Sequence, residues 1–275
     1  MSDMKIAIAG CAGRMGQAVI RQLAETPGVV ISGGFESAGS KVLGEDIGVQ
    51  AGLAPVGAVV TDDPAPVVAE VDGIIDFSTP ETSLRSVALA AQARIVCVVG
   101  TTGFAGADEE RIRAAAHHGV IVKSGNMSLG ITLLAGLVRH AAGVLGEAWD
   151  IEITEFHHRH KVDAPSGTAL LLGEAAATGR GVSFEEVVLR GRDGQPGLRP
   201  EGGIGFSVLR GGSVTGNHDV IFATEKEHLR LAHVAEDRSI FARGAVAACL
   251  WGRGRSPGLY TMEDVLNLSD RDGRG

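Results

Sequence analysis

Short apolar runs recur along the first 130 residues, at 5–10, 29–36, 57–61, 73–78, 95–100 and 120–124. Between several of them the spacing of apolar positions becomes helical. Met15, Ala18, Val19 and Leu23 share one face of a 3.6-residue repeat, and "PETSLRSVALAAQA" and "DEERIRAAAHH" read the same way. Strand, helix and strand, repeated with short links, predict an α/β domain: a Rossmann-like, doubly wound parallel sheet.

The pattern changes after Asn126. A long apolar helix, about 128–145, leads into the alternating run "WDIEITEF", which reads as a strand. A helix capped by Ser166 follows, then a polar, Gly-rich passage at 189–203. Three strand-like runs come next, "IGFSVLRGG", "SVTGNHDVIFATE" and "EHLRLAHVAED". Strands without intervening helices predict a second, α+β domain with a mixed open sheet. A last helix, "RSIFARGAVAACLW", precedes a basic loop and the tail "LYTMEDVLNL".

Composition narrows what such a chain can do. Thirty-three acids against 25 Lys and Arg give a net charge of −8, which argues against nucleic-acid or acidic-membrane binding and makes a local basic cluster informative. The three cysteines, Cys11, Cys97 and Cys249, form no Cys-x-x-Cys pair, so the expectation is a reducing, cytoplasmic setting without a disulfide framework. "MSDMKIAIAG" goes almost at once into a strand, without a basic-then-apolar leader. The most apolar helix is broken by Arg139 and His140 and is too short to span a bilayer, so a soluble protein is expected.

The first candidate site lies in "KIAIAGCAGRMGQAVIRQL", a strand, a Gly-rich turn and a helix start. Gly10, Gly13 and Gly16 form a spacing variant of the dinucleotide fingerprint: a sharp turn, a close approach to pyrophosphate, and tight helix–strand packing. Glu36, twenty residues past Gly16 at the end of the next run, is placed to accept from a ribose hydroxyl. Ser37 follows it where an Arg would favour the extra phosphate of NADP, and Lys41 is a partial substitute on a flexible loop. NADH is therefore at least acceptable. Two further strand ends, Gly100-Thr101-Thr102-Gly103 and Ser124-Gly125-Asn126-Met127, belong to the same crevice of an open parallel sheet.

The second is "EFHHRHKVDAPSGTAL", with His157, His158, Arg159, His160 and Lys161 in succession at a strand-to-helix junction. If the segment stays extended, His157, Arg159 and Lys161 share one side and His158 and His160 the other. That separation works against a zinc triad, and no Cys set or His-x-x-x-His pair supports one, so no metal is expected. A solvated basic run is the plainer alternative. The remaining reading of the same segment is an anion site: helix-start amides and Thr168 grip a carboxylate, His158 and Lys161 add cationic donors, and His157 or Lys161 moves a proton.

These segments, with "GCAGRMG", "DFSTPE", "GTTG", "GNMSLG" and "IGFSVLRGGSVTGNHDVIFATEKEHLRLAHVAEDR", resemble the 4-hydroxy-tetrahydrodipicolinate reductase (dihydrodipicolinate reductase) family of the lysine and diaminopimelate pathway. The resemblance spans essentially the whole chain. It implies a cofactor domain at 1–128 completed by 238–275, and a substrate-binding and oligomerisation domain at 129–237 that builds a homotetramer. It implies NADH- or NADPH-dependent reduction of a small cyclic dicarboxylate with loss of water, the resulting carbanion or enamine being protonated. His157 maps onto the acid/base and Lys161 onto the proton donor, with His158, Ser166, Gly167 and Thr168 on substrate. Cofactor contacts map onto Gly10, Cys11, Ala12, Gly13, Arg14, Met15, Glu36, Gly100, Thr101, Thr102, Ser124, Gly125, Asn126 and Met127. Ser37 and Thr79 stand where some members carry Arg, which weakens the case for a strong NADPH preference.

Other dehydrogenase chemistries fit poorly. The only tyrosine, Tyr260, precedes Asp264 by four residues where a short-chain dehydrogenase needs Lys, and Cys97 lies in an apolar run that reads as core. An NAD(H)-binding sensor would not need His157 or Lys161, and a metal-dependent hydrolase would lose activity with chelator.

Overall fold

The computed structural model describes residues 2–268, and it turns the early apolar runs into strands of one sheet. The first part runs β1 (Met4–Ala9), α1 (Arg14–Ala24), β2 (Val29–Phe35), α2 (Ile47–Gln50), β3 (Val60–Thr61), α3 (Pro64–Val68), β4 (Gly73–Asp76), α4 (Pro80–Ala93), β5 (Val96–Val99), α5 (Gly106–Ala115) and β6 (Val120–Lys123). Then come α6 (Leu129–Leu145), β7 (Asp150–His157), α7 (Gly167–Arg180), α8 (Phe184–Val187), β8 (Val188–Arg190), β9 (Ile204–Arg210), β10 (Gly216–Ala223) and β11 (His228–Ala235). The chain closes with α9 (Ser239–Gly252), β12 (Gly258–Tyr260) and α10 (Met262–Val265).

The contacts divide the molecule into two compact units, one up to Leu129 plus the residues from Arg238 onward, the other Gly130–Asp237. Of the expected first domain, Met1 and 269–275 lie outside the described residues.

In the first unit the strands order β12-β6-β5-β4-β1-β2-β3, all parallel. Along β1, Ile6 and Ile8 join a core with Val19, Ile20 and Leu23 of α1 and Ala245, Val246 and Cys249 of α9. Ala7 and Ala9 join a separate core with Leu84, Val87 and Ala90 of α4 and Ile112 of α5. Helices therefore cover both faces, which is why the strands read as continuous apolar runs. The expected doubly wound parallel sheet is present. Its seventh strand, β12, is not predicted from sequence, because three residues inside a tail carry too little periodicity.

The second unit holds the order β11-β10-β7-β9-β8. β7 and β9, and β9 and β8, run parallel, whereas β10 is antiparallel to both β7 and β11, giving the expected mixed sheet. β8 is the strand not foreseen. Its three residues border the polar 189–203 passage, whose Arg199 ties itself to Asp150, Glu152 and the Ile151 and Gly203 carbonyls. Apolar residues of α6 and α7 pack with Ile151, Ile153, Val220 and Phe222 of the sheet.

Candidate active site

The chain leaves β1 through Gly10, whose φ of +69° is disfavoured for residues with a side chain. Gly13 caps α1, an eleven-residue helix. A Cβ on Gly16 would lie 2.7 Å from Cα of Cys11 and run into the Gly10 carbonyl oxygen, so glycine lets helix and turn close together. The amides of the first helical turn lack intrahelical partners and carry the positive end of the dipole. Burial pushes the Cys11 thiol up to about 12, with the Glu36 charge adding to the effect, so it is a small packing residue at neutral pH.

Glu36 follows β2, and its Oε1 accepts from the Ala12 amide at 2.8 Å. The two expected halves of the fingerprint therefore meet. They border a cleft of about 400 Å³ whose walls include Gly10, Gly13, Ser37, Thr79 and Arg85. Lys41 does not line it. Arg85 is a cation on this wall that periodicity does not point to; its guanidinium lies 3.8 Å from Asp63. Helical spacing placed Arg85 on α4 without saying which way that face would look. A tight glycine turn, an acid beside it and a groove past both fit a dinucleotide.

The other expected contacts lie at neighbouring strand ends, since a Cβ on Gly125 would be 3.7 Å from the Thr102 methyl. They differ in what they expose. Thr101 is buried, and its hydroxyl bonds Ser83 Oγ at 2.8 Å and the Ser78 amide at 3.1 Å. Both the Ser78 and Ser83 hydroxyls also reach Asp76 Oδ1, at 2.6 and 3.0 Å. This network braces the ends of β4 and β5 against α4. Thr102 and Gly125 are exposed, whereas Met127 is buried. Ser124 Oγ donates to the Asn126 carbonyl at 2.7 Å, tightening the second turn.

In the second unit, β7 buries Ile151, Ile153, Glu155 and His157 in strict alternation. The facing positions of β10 bury Gly216, His218, Val220 and Phe222. One surface is thus apolar at one end and polar at the other. Glu155, opposite His218 in the register, has a fully buried side chain. Arg210 of β9 grips it at two points, Nη1 to Oε2 at 2.7 Å and Nη2 to Oε1 at 2.8 Å. The Ser166 amide donates to Oε1 at 3.0 Å, and His157 Nδ1 lies 2.6 Å from Oε2. Ser166 Oγ caps α7 through the Ala169 amide and lies 3.2 Å from His218 Nε2.

The strand ends at His157, which corrects the extended reading of the cluster. The residues beyond it turn, with the Lys161 amide bonding the His158 carbonyl, and Arg159 and His160 are exposed. Side-chain alternation therefore does not continue to Lys161. Its Nζ lies 2.8 Å from Asp163 Oδ1. Gly167 is exposed and Thr168 half-buried on the first turn of α7. His158 Nδ1 is buried with no hydrogen-bond partner among the described residues.

Burial works to raise the Glu155 carboxyl, but Arg210, His157 and the Ser166 amide together hold it below the usual carboxylate range. For His157 burial is the largest influence and lowers it; the Glu155 bond opposes, and the Lys161 and Arg210 charges reinforce the lowering. A neutral imidazole beside an ionised carboxylate puts its proton on Nδ1, leaving Nε2 as the open nitrogen. A Cβ on Gly216 would lie 2.9 Å from that Nε2. His218 drops to about 4, chiefly through burial and then the neighbouring His157. Glu155, Arg210, Gly216 and His218 were not singled out from sequence. The signal was present as polar residues on the buried parity of two alternating strands.

Among the described residues no three His, Cys, Asp or Glu cluster as a metal site, and no helix is long and apolar enough to cross a membrane. A parallel sheet with a dinucleotide-type glycine turn, joined to a mixed-sheet unit with a buried Glu155–His157 pair, fits the class of oxidoreductases. Models of the N- and C-terminal parts of dihydrodipicolinate reductase match residues 4–127 and 130–266. The chain belongs to the dihydrodipicolinate reductase family. It is 60% identical to the 4-hydroxy-tetrahydrodipicolinate reductase of Parvibaculum lavamentivorans, over 97% of this chain and 99% of that one. The corresponding reductase of Methylocella silvestris is 56% identical, over 98% of this chain and all of the other. Among solved structures, the dipicolinate-bound dihydrodipicolinate reductase of Paenisporosarcina sp. TG-14 superposes with a TM-score of 0.77 at 22% identity, covering 95% and 99% of the chains. An amine dehydrogenase of Mycobacterium smegmatis shares the fold at 0.60 and 13%, covering 95% and 96%.

Proposed function

We propose that this chain reduces 4-hydroxy-tetrahydrodipicolinate to tetrahydrodipicolinate with loss of water, in lysine and diaminopimelate biosynthesis. The observation that carries the reading is the buried His157, held by Glu155 beside Lys161 and the start of α7, in a chain 60% identical to a named reductase.

Bound NADH or NADPH supplies the hydride. Gly10, Cys11, Ala12, Gly13, Arg14 and Met15 cradle its pyrophosphate, and Glu36 exchanges the Ala12 amide for the ribose hydroxyls. The 100–102 and 124–127 turns hold the nicotinamide end. Ser37 and Thr79 offer no cation to a 2′-phosphate, so NADH is accepted, and Arg85 on the cleft wall is the group that lets NADPH compete.

The second unit binds the dicarboxylate. Gly167 and Thr168 present amides and a hydroxyl at a helix N-terminus, and His158 and Ser166 complete the grip. Lys161 exchanges Asp163 for a substrate carboxylate and delivers a proton to the reduced ring; His157, through Nε2, serves as acid/base for the departing water. We assign the first unit to cofactor and the second to substrate and assembly. Exposed Val208, Leu209, Leu229 and Val234 on β9 and β11 support a homotetramer built through that sheet. The three unpaired, buried cysteines agree with a cytoplasmic enzyme.

The test is oxidation of NADH and NADPH on substrate made fresh from pyruvate and aspartate semialdehyde, with light scattering for the oligomer. Both cofactors should turn over. Substrate-independent binding of NADH without any turnover overturns the proposal in favour of a sensor.

A further inference from the structure

Glu155 and His157 continue the face of β7 that, earlier in the strand, holds Ile151 and Ile153 against the core. An ionised pair partner in such a place needs strong compensation. Arg210 supplies it from the neighbouring strand and is itself anchored, Nη2 donating to the Asp163 carbonyl at 2.6 Å and Nη1 to the Leu209 carbonyl at 2.7 Å. Its placement differs from that of a surface ion pair, because both Glu155 oxygens are occupied in defined directions.

We propose that Arg210 is a positioning residue for His157: its two-point grip aims the Glu155 carboxylate at Nδ1 while countering its charge, so that His157 keeps one tautomer and stays neutral with Nε2 open. The proposal rests on the reading of His157 as the acid/base. The groups that face His157 come from every neighbouring element. They are Glu155 on its own strand, Arg210 on β9, His218 on β10 with ring centroids 5.1 Å apart, and Lys161 beyond the strand, paired with Asp163. His233 on β11 lies opposite His218 in the register, one strand further out. Besides His157 itself, Glu155 is met by the neutral Ser166 amide and by Arg210, and of these two only Arg210 carries a charge that sets how much of the carboxylate's charge His157 feels.

Two substitutions of one ion pair then have opposite effects. Arg210→Gln leaves the Glu155 charge uncountered beside His157, so the imidazole protonates at higher pH. Glu155→Gln removes the acceptor and leaves Arg210 and Lys161 facing the ring, so it protonates at lower pH and loses its fixed tautomer. A role in stability alone predicts no such opposition.

The experiment is an NMR titration of the imidazole Cε1–H resonances in the full-length protein, with His157→Asn identifying the signal, alongside pH profiles of kcat. Arg210→Gln should raise the His157 midpoint by about one pH unit or more, and Glu155→Gln should lower it. The double variant should fall between them. Arg210→Lys, which keeps the charge but not the two-point grip, should raise it less and takes the place of the glutamine variant if that fails to fold. Shifts of the same sign, or none, in folded proteins overturn the inference. A displaced imidazole midpoint with an unmoved kcat profile upholds the control of His157 by Arg210 and overturns the acid/base reading instead.

Discussion

The parallel sheet and the mixed sheet carry their sites in different materials. At the ends of β1, β5 and β6 the first unit offers mostly backbone: a glycine turn, a helix start and loops braced from behind by Asp76, Ser83 and Thr101. The second unit embeds its chemistry in side chains, replacing the apolar residues of a covered face by Glu155, His157 and His218. Backbone sites tolerate changes of side-chain chemistry but not of bulk. Side-chain sites in a core tolerate neither, because each polar group there depends on its partner.

The largest break in that comparison should come from His157→Ala and Lys161→Ala. We expect turnover to fall about 10²- to 10⁴-fold with NADH binding retained, as read by steady-state kinetics and cofactor fluorescence. Loss of cofactor binding in either variant would show that the two sites are not separable.

Next is the pH response of the mixed sheet. His218 has a folded value lowered from 6.5 to about 4, so the unfolded chain takes up its proton first as pH falls. Stability contributed above pH 6.5 is lost on the way down to about 4, on the order of 3 kcal/mol for that one group. His157, lowered by burial, adds loss of the same sign. Glu155, held below its usual range, adds a further loss at more acid pH, as its carboxylate protonates. Denaturant melts between pH 7 and 4 should show this decline, and His218→Gln should flatten it. A slope unchanged by the substitution would remove His218 as the cause.

Gly16→Ala tests the backbone site. The new methyl meets Cys11 and the Gly10 carbonyl, so the turn must shift, and we expect NADH affinity to fall about tenfold or more with the His157 titration unmoved. Calorimetric binding that stays at the parental value would mean that the turn is not the pyrophosphate cradle.

The smallest effect concerns the groove wall. Arg85→Ala should weaken NADPH several-fold and leave NADH nearly unchanged, since an exposed cation contributes only about 1 kcal/mol. Equal changes for both cofactors would remove Arg85 from discrimination.

Much of the first site was legible because its grammar is local. Gly10, Gly13 and Gly16 within one turn, with Glu36 closing the next strand, need no distant information to be read. The place of Arg85 on the cleft wall was hidden because helical periodicity gives a face without its orientation toward a groove. In the second site, His157, Lys161 and Ser166–Gly167–Thr168 stood out as a contiguous string. Their real geometry did not: the strand stops at His157, so the alternation drawn through Lys161 failed at the first turn residue.

The doubly wound sheet, the mixed second sheet, the glycine turn and the histidine–lysine segment could all be read along the chain, because periodicity and short-range spacing are properties of neighbouring residues. It took the folded chain to bring Arg210, 55 positions from Glu155, onto its carboxylate, and to lay His218 of another strand against His157. Strand register sets those meetings. Which residues face one another across a sheet depends on the pairing of whole strands, and a buried charge can be held only by the partners that pairing delivers.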